Sequence, residues 1–420
     1  MHFIIEHMHI EEVDVLVIGA GPSGAVAASM INKQGYKVKV VEKTQFPRFV
    51  IGESLLPRCL EHFDAAGFMP AIEAAGFQKK NGAVFKMDDK QCDFDFSESY
   101  TEGWTYAWQV PRDEFDKVLA DEVEKMGVPI DYRTTVTGVE FEGSNSVTTV
   151  TDKDGIQSQI KAKYIVDGSG YGRVLPRLLD LEEPSDFPVR AAMFTQIIDL
   201  NRPNNIESNR ITVIAHTQDF WVWMIPFSNG KTSLGFVGYE DVIKKHDGTL
   251  EEQFRSFLKE IPQLPERFHT AEMKFEPKQI MGYSAAVKQL YGPGYVLTGN
   301  ATEFLDPVFS SGVTFACESA RIAGELICKE LEGAKQDWEK LYTKHLMQGV
   351  DTFRTYVQAW YDGRLQTIFF SGQSEHNINI KICSVLAGYV WDKSNSFVRS
   401  HDKSLTNLAK LLKSQVNQTS

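Results

Sequence analysis

The feature that most constrains this chain is the segment Gly19-Ala20-Gly21-Pro22-Ser23-Gly24. It follows a short apolar, β-branched run at 13–18 (VDVLVI) and opens a helical stretch at 25–33, before a second apolar run at 38–41. Strand, glycine turn, helix and strand make a βαβ unit, and the GxGxxG spacing gives each glycine a mechanical task. Gly19 makes the tight turn, Gly21 lets the backbone approach a pyrophosphate, and Gly24 lets the helix pack on the strand. The helix start, with Pro22 and Ser23 in its first turn, adds unpaired N–H groups and partial positive charge. Glu42 closes the second strand, 21 residues after Gly21, where an acid can accept hydrogen bonds from a ribose diol. The arrangement predicts a dinucleotide site without choosing between NAD and FAD.

The rest of the 420 residues must supply what this unit lacks. A helix is expected at 114–125 and alternating β segments over 131–166, broken by Gly143-Ser144-Asn145 and Asp154-Gly155 and ending in a strand at 164–167. Four strand-like runs at 191–200, 211–216, 221–226 and 232–237 contain no dinucleotide motif, so they predict a separate antiparallel sheet. Helical patterning returns at 249–257 and 312–331, with a buried strand at 295–298 between them. From 337 onward the chain reads as mainly helix, aromatic-rich to about Trp391 and polar at its end.

Composition narrows the class. The 44 Lys+Arg stand against 56 Asp+Glu, a formal charge of −12 that argues against nucleic-acid binding. The five cysteines are odd in number and widely spread, with no CxxC pair, which predicts a reducing compartment and no metal site. The stretch 1–12 has acids and histidines where a signal peptide needs a basic start and an apolar run. No uncharged run reaches the roughly 18 residues needed to span a bilayer. The reading is a cytoplasmic protein, not transmembrane.

Three further segments identify the cofactor by resemblance. Tyr164-Ile-Val-Asp-Gly-Ser-Gly170 looks like a strand leading into an Asp-Gly turn, at Asp167 and Gly168, that approaches a cofactor a second time. Gly299-Asn-Ala-Thr-Glu-Phe-Leu-Asp-Pro307 looks like a GDA…DP segment, with Asn300 in the place of the acid. Gln109-Val-Pro-Arg112 looks like a segment that supplies an arginine. Over 14–331 the sequence thereby resembles the FAD-dependent monooxygenases, halogenases and geranylgeranyl reductases of the para-hydroxybenzoate-hydroxylase-like fold. The resemblance implies FAD, contacted by Gly19, Gly21, Pro22, Ser23, Gly24, Glu42, Lys43, Arg112, Asp167, Gly168, Gly299, Asn300, Asp306 and Pro307. At Asn300 charge is lost but a carbonyl acceptor remains.

The implied fold class is mixed α/β: a Rossmann-like FAD-binding domain, an interleaved antiparallel β-sheet substrate domain and a helical C-terminal region. The FAD-binding domain is divided among 12–80, 105–187 and 281–336. The segments 81–104 and 188–280 form the substrate domain, and 337–420 the helical region.

Within this superfamily the chain resembles the flavin-dependent halogenases. Pro47-Arg-Phe-Val-Ile-Gly-Glu-Ser54 matches their PRxxxGES loop and adds Arg48, Gly52 and Ser54 to the cofactor residues. Trp221-Val-Trp-Met-Ile-Pro226 matches WxWxIP, making Trp221 and Trp223 signature aromatics. Asp306-Pro-Val-Phe-Ser-Ser-Gly312 is similar to DPxFSSG, which implies a halide held by Ser311 and Gly312, with Gly312 and Val313 also at the flavin. Gly76-Phe-Gln-Lys-Lys-Asn-Gly82 resembles the segment with the catalytic lysine, and KxG spacing selects Lys80 over Lys79.

Each motif alone has a plainer alternative: core tryptophans on one strand face, a solvated Lys-Lys pair, a serine N-cap. Their occurrence together, in family order, is what carries the resemblance. It implies oxidation of halide by FADH2 and O2, delivery through Lys80, and a phenol or pyrrole substrate, free or carrier-bound. A tryptophan-type substrate is disfavoured because Phe309 stands where tryptophan halogenases carry an acid. A separate flavin reductase is the expected electron source. The alternative is an NAD(P)H-using FAD monooxygenase or a geranylgeranyl-reductase-like enzyme.

Overall fold

The computed structural model describes residues 10–419 apart from 186, 283, 284, 304, 373 and 374. Most of the stretch at 1–12 read against a signal peptide, and Phe304 of the GDA…DP segment, therefore lie outside the described residues.

Strand β1 (Ile10–Ile18) runs parallel between β2 (Val38–Glu42) and Gln157–Asp167, and the sheet continues in parallel to Ile130–Tyr132 on one side and Tyr295–Leu297 on the other. Val15, Leu16 and Val17 are fully buried, as expected of a parallel strand covered on both faces. The register pairs Ile18 with both Val41 and Asp167. The carboxyl ends of three strands therefore meet at one edge, where ligands bind in open α/β sheets.

Helix α1 (Pro22–Asn32) starts three residues earlier than its apolar periodicity suggests, because Pro22 stands at its first positions, where a missing N–H costs nothing. The strand expected at 164–167 extends back to Gln157. Its first half alternates buried and exposed positions and pairs antiparallel with Asn145–Thr151, so it shows no continuous apolar run.

The second sheet has seven strands in the order Lys278–Met281, Ala191–Ile198, Lys231–Gly238, Phe220–Pro226, Ile211–Thr217, Gly82–Met87, Lys90–Asp95. The four central strands are antiparallel, as expected. The correction is at one join, where Gly82–Met87 pairs in parallel with Ile211–Thr217. One face of this sheet is closed by the helix Leu250–Glu260, whose Phe254 and Phe257 rings pack on Phe236. The other face carries Trp221 and Trp223 and shares a core with the C-terminal helices.

Those helices include Lys344–Tyr361 and His401–Thr419. The last one is less polar than expected, for Leu405, Leu408, Ala409 and Leu412 are buried in that core. Glu318, fully buried, pins three helices together through Arg58 (3.0 Å), His62 (2.8 Å) and His345 (2.7 Å). No helix among the described residues is long and apolar enough to cross a membrane.

Candidate active site

A cleft with a cavity volume of about 360 Å³ separates the carboxyl edge of the parallel sheet from the second sheet. That lies within the roughly 300–1,000 Å³ of ordinary small-molecule pockets. Of the residues singled out in the sequence, Gly19, Gly21, Pro22, Ser23, Glu42, Lys43, Arg48, Gly52, Ser54, Arg112, Gly168, Trp221, Trp223, Asn300, Pro307, Ser311, Gly312 and Val313 all line it. Gly24, Lys80, Asp167, Gly299 and Asp306 stand behind its wall.

At the dinucleotide end, two glycines are set by close approach. A Cβ on Gly19, where φ is +92°, would lie 2.7 Å from the Gly168 carbonyl oxygen, and one on Gly24 would lie 1.8 Å from the Gly19 carbonyl oxygen. Gly21 differs, because a Cβ there would meet only the Arg48 guanidinium at 3.4 Å and the Asp116 carboxylate at 3.8 Å. The space before Gly21 is thus left open at the start of α1, where no side chain caps the helix. Glu42 accepts from the backbone N–H of Ala20 (2.9 Å) and of Thr44 (2.9 Å), which fixes its carboxylate at the cleft.

Arg112 is nearly saturated. It is bidentate to Asp116 (2.7 and 3.0 Å) and donates to the carbonyls of Ile51 (3.1 Å) and Gly52 (3.2 Å). It therefore braces the loop before Ser54 rather than offering a free fork. The freer cation is Arg48, whose Nη1 lies 3.1 Å from Asp116 Oδ2 at an angle that leaves this nitrogen without a hydrogen bond. The Asp167 carboxylate is turned into its own loop and accepts from the N–H of Ser169 (2.9 Å) and Leu175 (2.7 Å). The wall there is made by Gly168 and the residues that follow it.

At the other end, Asp306 caps a short turn at Pro307–Phe309 by accepting from Val308 N–H (3.1 Å). Ser310 follows with φ +58°, and the helix Gly312–Leu331 begins at the cleft. Ser311 is the N-cap by position, yet its side chain makes no cap hydrogen bond. A long helix thus points its positive end into the cleft, a favourable setting for an anion.

The two lysines are separated completely. Lys79 is exposed, with Nζ 4.0 Å from the Tyr106 ring centroid. Lys80 is 1% exposed and donates to Ser54 Oγ (2.8 Å) and the Leu55 carbonyl (2.9 Å). Burial pushes its ammonium down to about 7. Ser54 lines the cleft, so one hydroxyl separates Lys80 from the cavity.

The two tryptophans are more than packing. Trp221 Nε1 donates to the Tyr361 hydroxyl (2.9 Å), which donates to Asp306 Oδ2 (2.9 Å). Trp223 Nε1 donates to Ser233 Oγ (3.1 Å). Tyr361, Ser233 and Asp116 carry no motif signal of their own in these roles. Tyr361 could have drawn attention only as one aromatic of the aromatic-rich helical stretch after 337.

The fold and this cleft define a dinucleotide-binding oxidoreductase, and comparison makes the class specific. A family model described as an FAD binding domain matches residues 12–345, and the chain belongs to that family. FAD is its cofactor, and it is an FAD-dependent oxidoreductase related to flavin-dependent halogenases.

The chain is 30% identical over 413 residues to a 1H-pyrrole-2-carbonyl-(peptidyl-carrier protein) chlorinase of Pseudomonas fluorescens, covering 91% of each chain. Among solved structures it is 52% identical to a flavoprotein/dehydrogenase from Cytophaga hutchinsonii, with a TM-score of 0.95 over 96% of this chain and 100% of the other. It is 25% identical to the flavin-dependent brominase Bmp2, with a TM-score of 0.81 over 97% and 99%. The residues present fit FAD. Open space fronts Gly21 at an uncapped helix start, Glu42 is fixed at the end of β2, and the cleft runs on past both.

Proposed function

We propose that the protein is a flavin-dependent halogenase acting on a phenol- or pyrrole-type aromatic, free or attached to a carrier protein. The observation that carries this reading is Lys80, a fully buried amine one hydroxyl away from the cleft on which the PRxxxGES, WxWxIP and DPxFSSG segments converge.

Bound and reduced, FAD with O2 supplies the oxidising power for a halide. In this reading Gly19, Gly21, Pro22, Ser23 and Gly24 hold the pyrophosphate, Glu42 and Lys43 the adenosine end, and Asn300 and Gly312 the flavin end. Ser311 and the N–H groups of Gly312 and Val313 hold the halide at the positive end of their helix. Lys80, near neutral at physiological pH, hydrogen-bonds hypohalous acid or captures its halogen with release of water. Trp221 and Trp223 exclude water from the ring to be substituted. The segments 12–80, 105–187 and 281–336 hold the cofactor, 81–104 and 188–280 wall the substrate, and 337–420 cover it. The electron donor is a separate flavin reductase, and the five free cysteines suit a cytoplasmic setting.

A second reading, an NAD(P)H-using monooxygenase or reductase, is favoured by the description of the 52% identical chain as a flavoprotein/dehydrogenase. Anaerobic mixing of the FAD-loaded protein with NADPH or NADH separates the two. The halogenase reading expects no flavin bleaching by either nicotinamide, and halide-dependent product once a flavin reductase is added. Rapid bleaching overturns it in favour of the second.

A further inference from the structure

The turn at the helix start and the aromatic wall come from distant parts of the chain. Ser310, Ser311 and Gly312 line the cleft, and so do Trp221 and Trp223 of the second sheet. One side chain joins the two from behind. Tyr361 ends the helix Lys344–Tyr361, and its hydroxyl accepts from Trp221 Nε1 (2.9 Å) and donates to Asp306 Oδ2 (2.9 Å). These partners lie 140 and 55 residues away in sequence, so a single oxygen ties three separate segments together.

The chemistry of the three groups suits that junction. An indole N–H only donates and a carboxylate only accepts, so a hydroxyl, which does both, can bridge them. Burial and the neighbouring Asp306 hold the Tyr361 phenol well above its ordinary value, which keeps its proton in place. The ring is held too, with the Arg190 guanidinium 3.4 Å from its centroid. Asp306 then passes the constraint on. Its Oδ1 accepts from Val308 N–H and closes the turn Pro307–Phe309. Ser310 follows at φ +58°, a left-handed conformation that a serine keeps only where its surroundings enforce it. Tyr361 thus sets the plane of a carboxylate whose other oxygen sets the turn leading to Ser311 and Gly312.

We propose that Tyr361 is a positioning residue for the halide: by holding Trp221 and Asp306 on one hydroxyl, it keeps the turn that presents Ser311 and Gly312 in a single conformation against the aromatic wall. This rests on the halide site proposed above and assigns the part of that site that lies behind the cleft surface. A turn already ordered offers its N–H groups to an anion without further loss of freedom. A loosened turn must be ordered by the halide itself, and that ordering is subtracted from the affinity. Tyr361 does not line the cleft, so its loss acts on halide binding and not on the grip on FAD.

The test uses Tyr361→Phe, which keeps the ring against Arg190 and removes one oxygen. Sodium bromide is titrated into the oxidised, FAD-loaded protein at constant ionic strength, and the rise in melting temperature reports binding to the folded state. Half-saturation should need about 5- to 20-fold more bromide in Tyr361→Phe, the worth of a hydrogen bond to a charged group, while the Kd for FAD stays within about twofold. In turnover with phenol and an added flavin reductase, KM for bromide should rise by the same factor and kcat at saturating bromide should hold. A merely structural role would lower the melting temperature and kcat and leave the bromide dependence where it was, which overturns the proposal. Should Tyr361→Phe yield no yellow protein, Trp221→Phe is read instead: it frees the other end of the bridge and should raise half-saturation about threefold, and an unchanged value counts against the bridge. Equal bromide binding with and without the hydroxyl sinks the positioning role alone and leaves the halogenase reading standing. Absence of bromide binding in the unaltered protein removes both.

Discussion

The wall contributed by the parallel sheet meets its ligand with backbone, whereas the wall of the seven-stranded sheet meets it with side chains. At the first, two glycines are held within van der Waals contact of other main chain and a helix end is left uncapped. At the second, indoles and branched aliphatics form the surface, and their polar atoms are tied off behind it by Tyr361 and Ser233. Gly19 and Gly24 tolerate almost no substitution, because a Cβ at either would collide with main chain that cannot move. A side-chain wall can be repacked at modest cost, which makes it the natural place for substrate specificity to vary.

The largest test of that contrast is Gly24→Val. Its Cβ would sit 1.8 Å from a carbonyl oxygen, so the variant should fail to yield soluble, yellow protein; normal flavin absorbance in the purified variant would break the comparison. Next is Lys80→Ala, for which halide-dependent product should fall about 10²- to 10⁴-fold, the range for a lost proton-transfer group, with FAD occupancy unchanged. Lys79→Ala, which removes an exposed ammonium over the Tyr106 ring, should retain activity within about twofold.

Stability against pH comes third. Glu53 is raised to about 7 from 4.5, so the folded state binds the extra proton and stability falls as pH rises between those values. Lys80 is lowered to about 7 from 10.5, so the unfolded state binds the extra proton and stability rises with pH above 7. Urea titrations should show Glu53→Gln flattening the first slope and Lys80→Met the second, by at most about 1.4 kcal/mol per pH unit. A more local effect is expected of Gly235→Ala in the second sheet. An added Cβ there would press on the Trp223 ring at 2.2 Å, displacing it for about 1–3 kcal/mol. The KM for the aromatic substrate should rise while FAD affinity holds.

Legibility followed the range of the interactions. The βαβ unit, its glycines, Glu42 and the selection of Lys80 over Lys79 could be read because each depends on residues close in sequence. The parallel join of Gly82–Met87 to Ile211–Thr217 spans more than a hundred residues and leaves no local periodicity. Arg112 could be singled out and does line the cleft, but its commitment to Asp116 could not be foreseen, since both sit on one helix face whose surroundings the sequence does not reveal. Asp167 follows the same pattern, identified as a turn residue and found bracing that turn from behind.

Sequence by itself determined the dinucleotide-binding unit and the order of the motifs, because a strand, a glycine turn and a helix start are local consequences of residue type and spacing. Tertiary structure alone decided where the polar atoms find their partners. Gln196 and Ser233 take up the buried carboxyl of Glu53, Tyr361 bridges Trp221 to Asp306, and Lys80 is sealed against Ser54. Burial and hydrogen-bond satisfaction are properties of neighbours brought together by folding, and they set the protonation of Glu53 and Lys80 in a way no linear motif encodes.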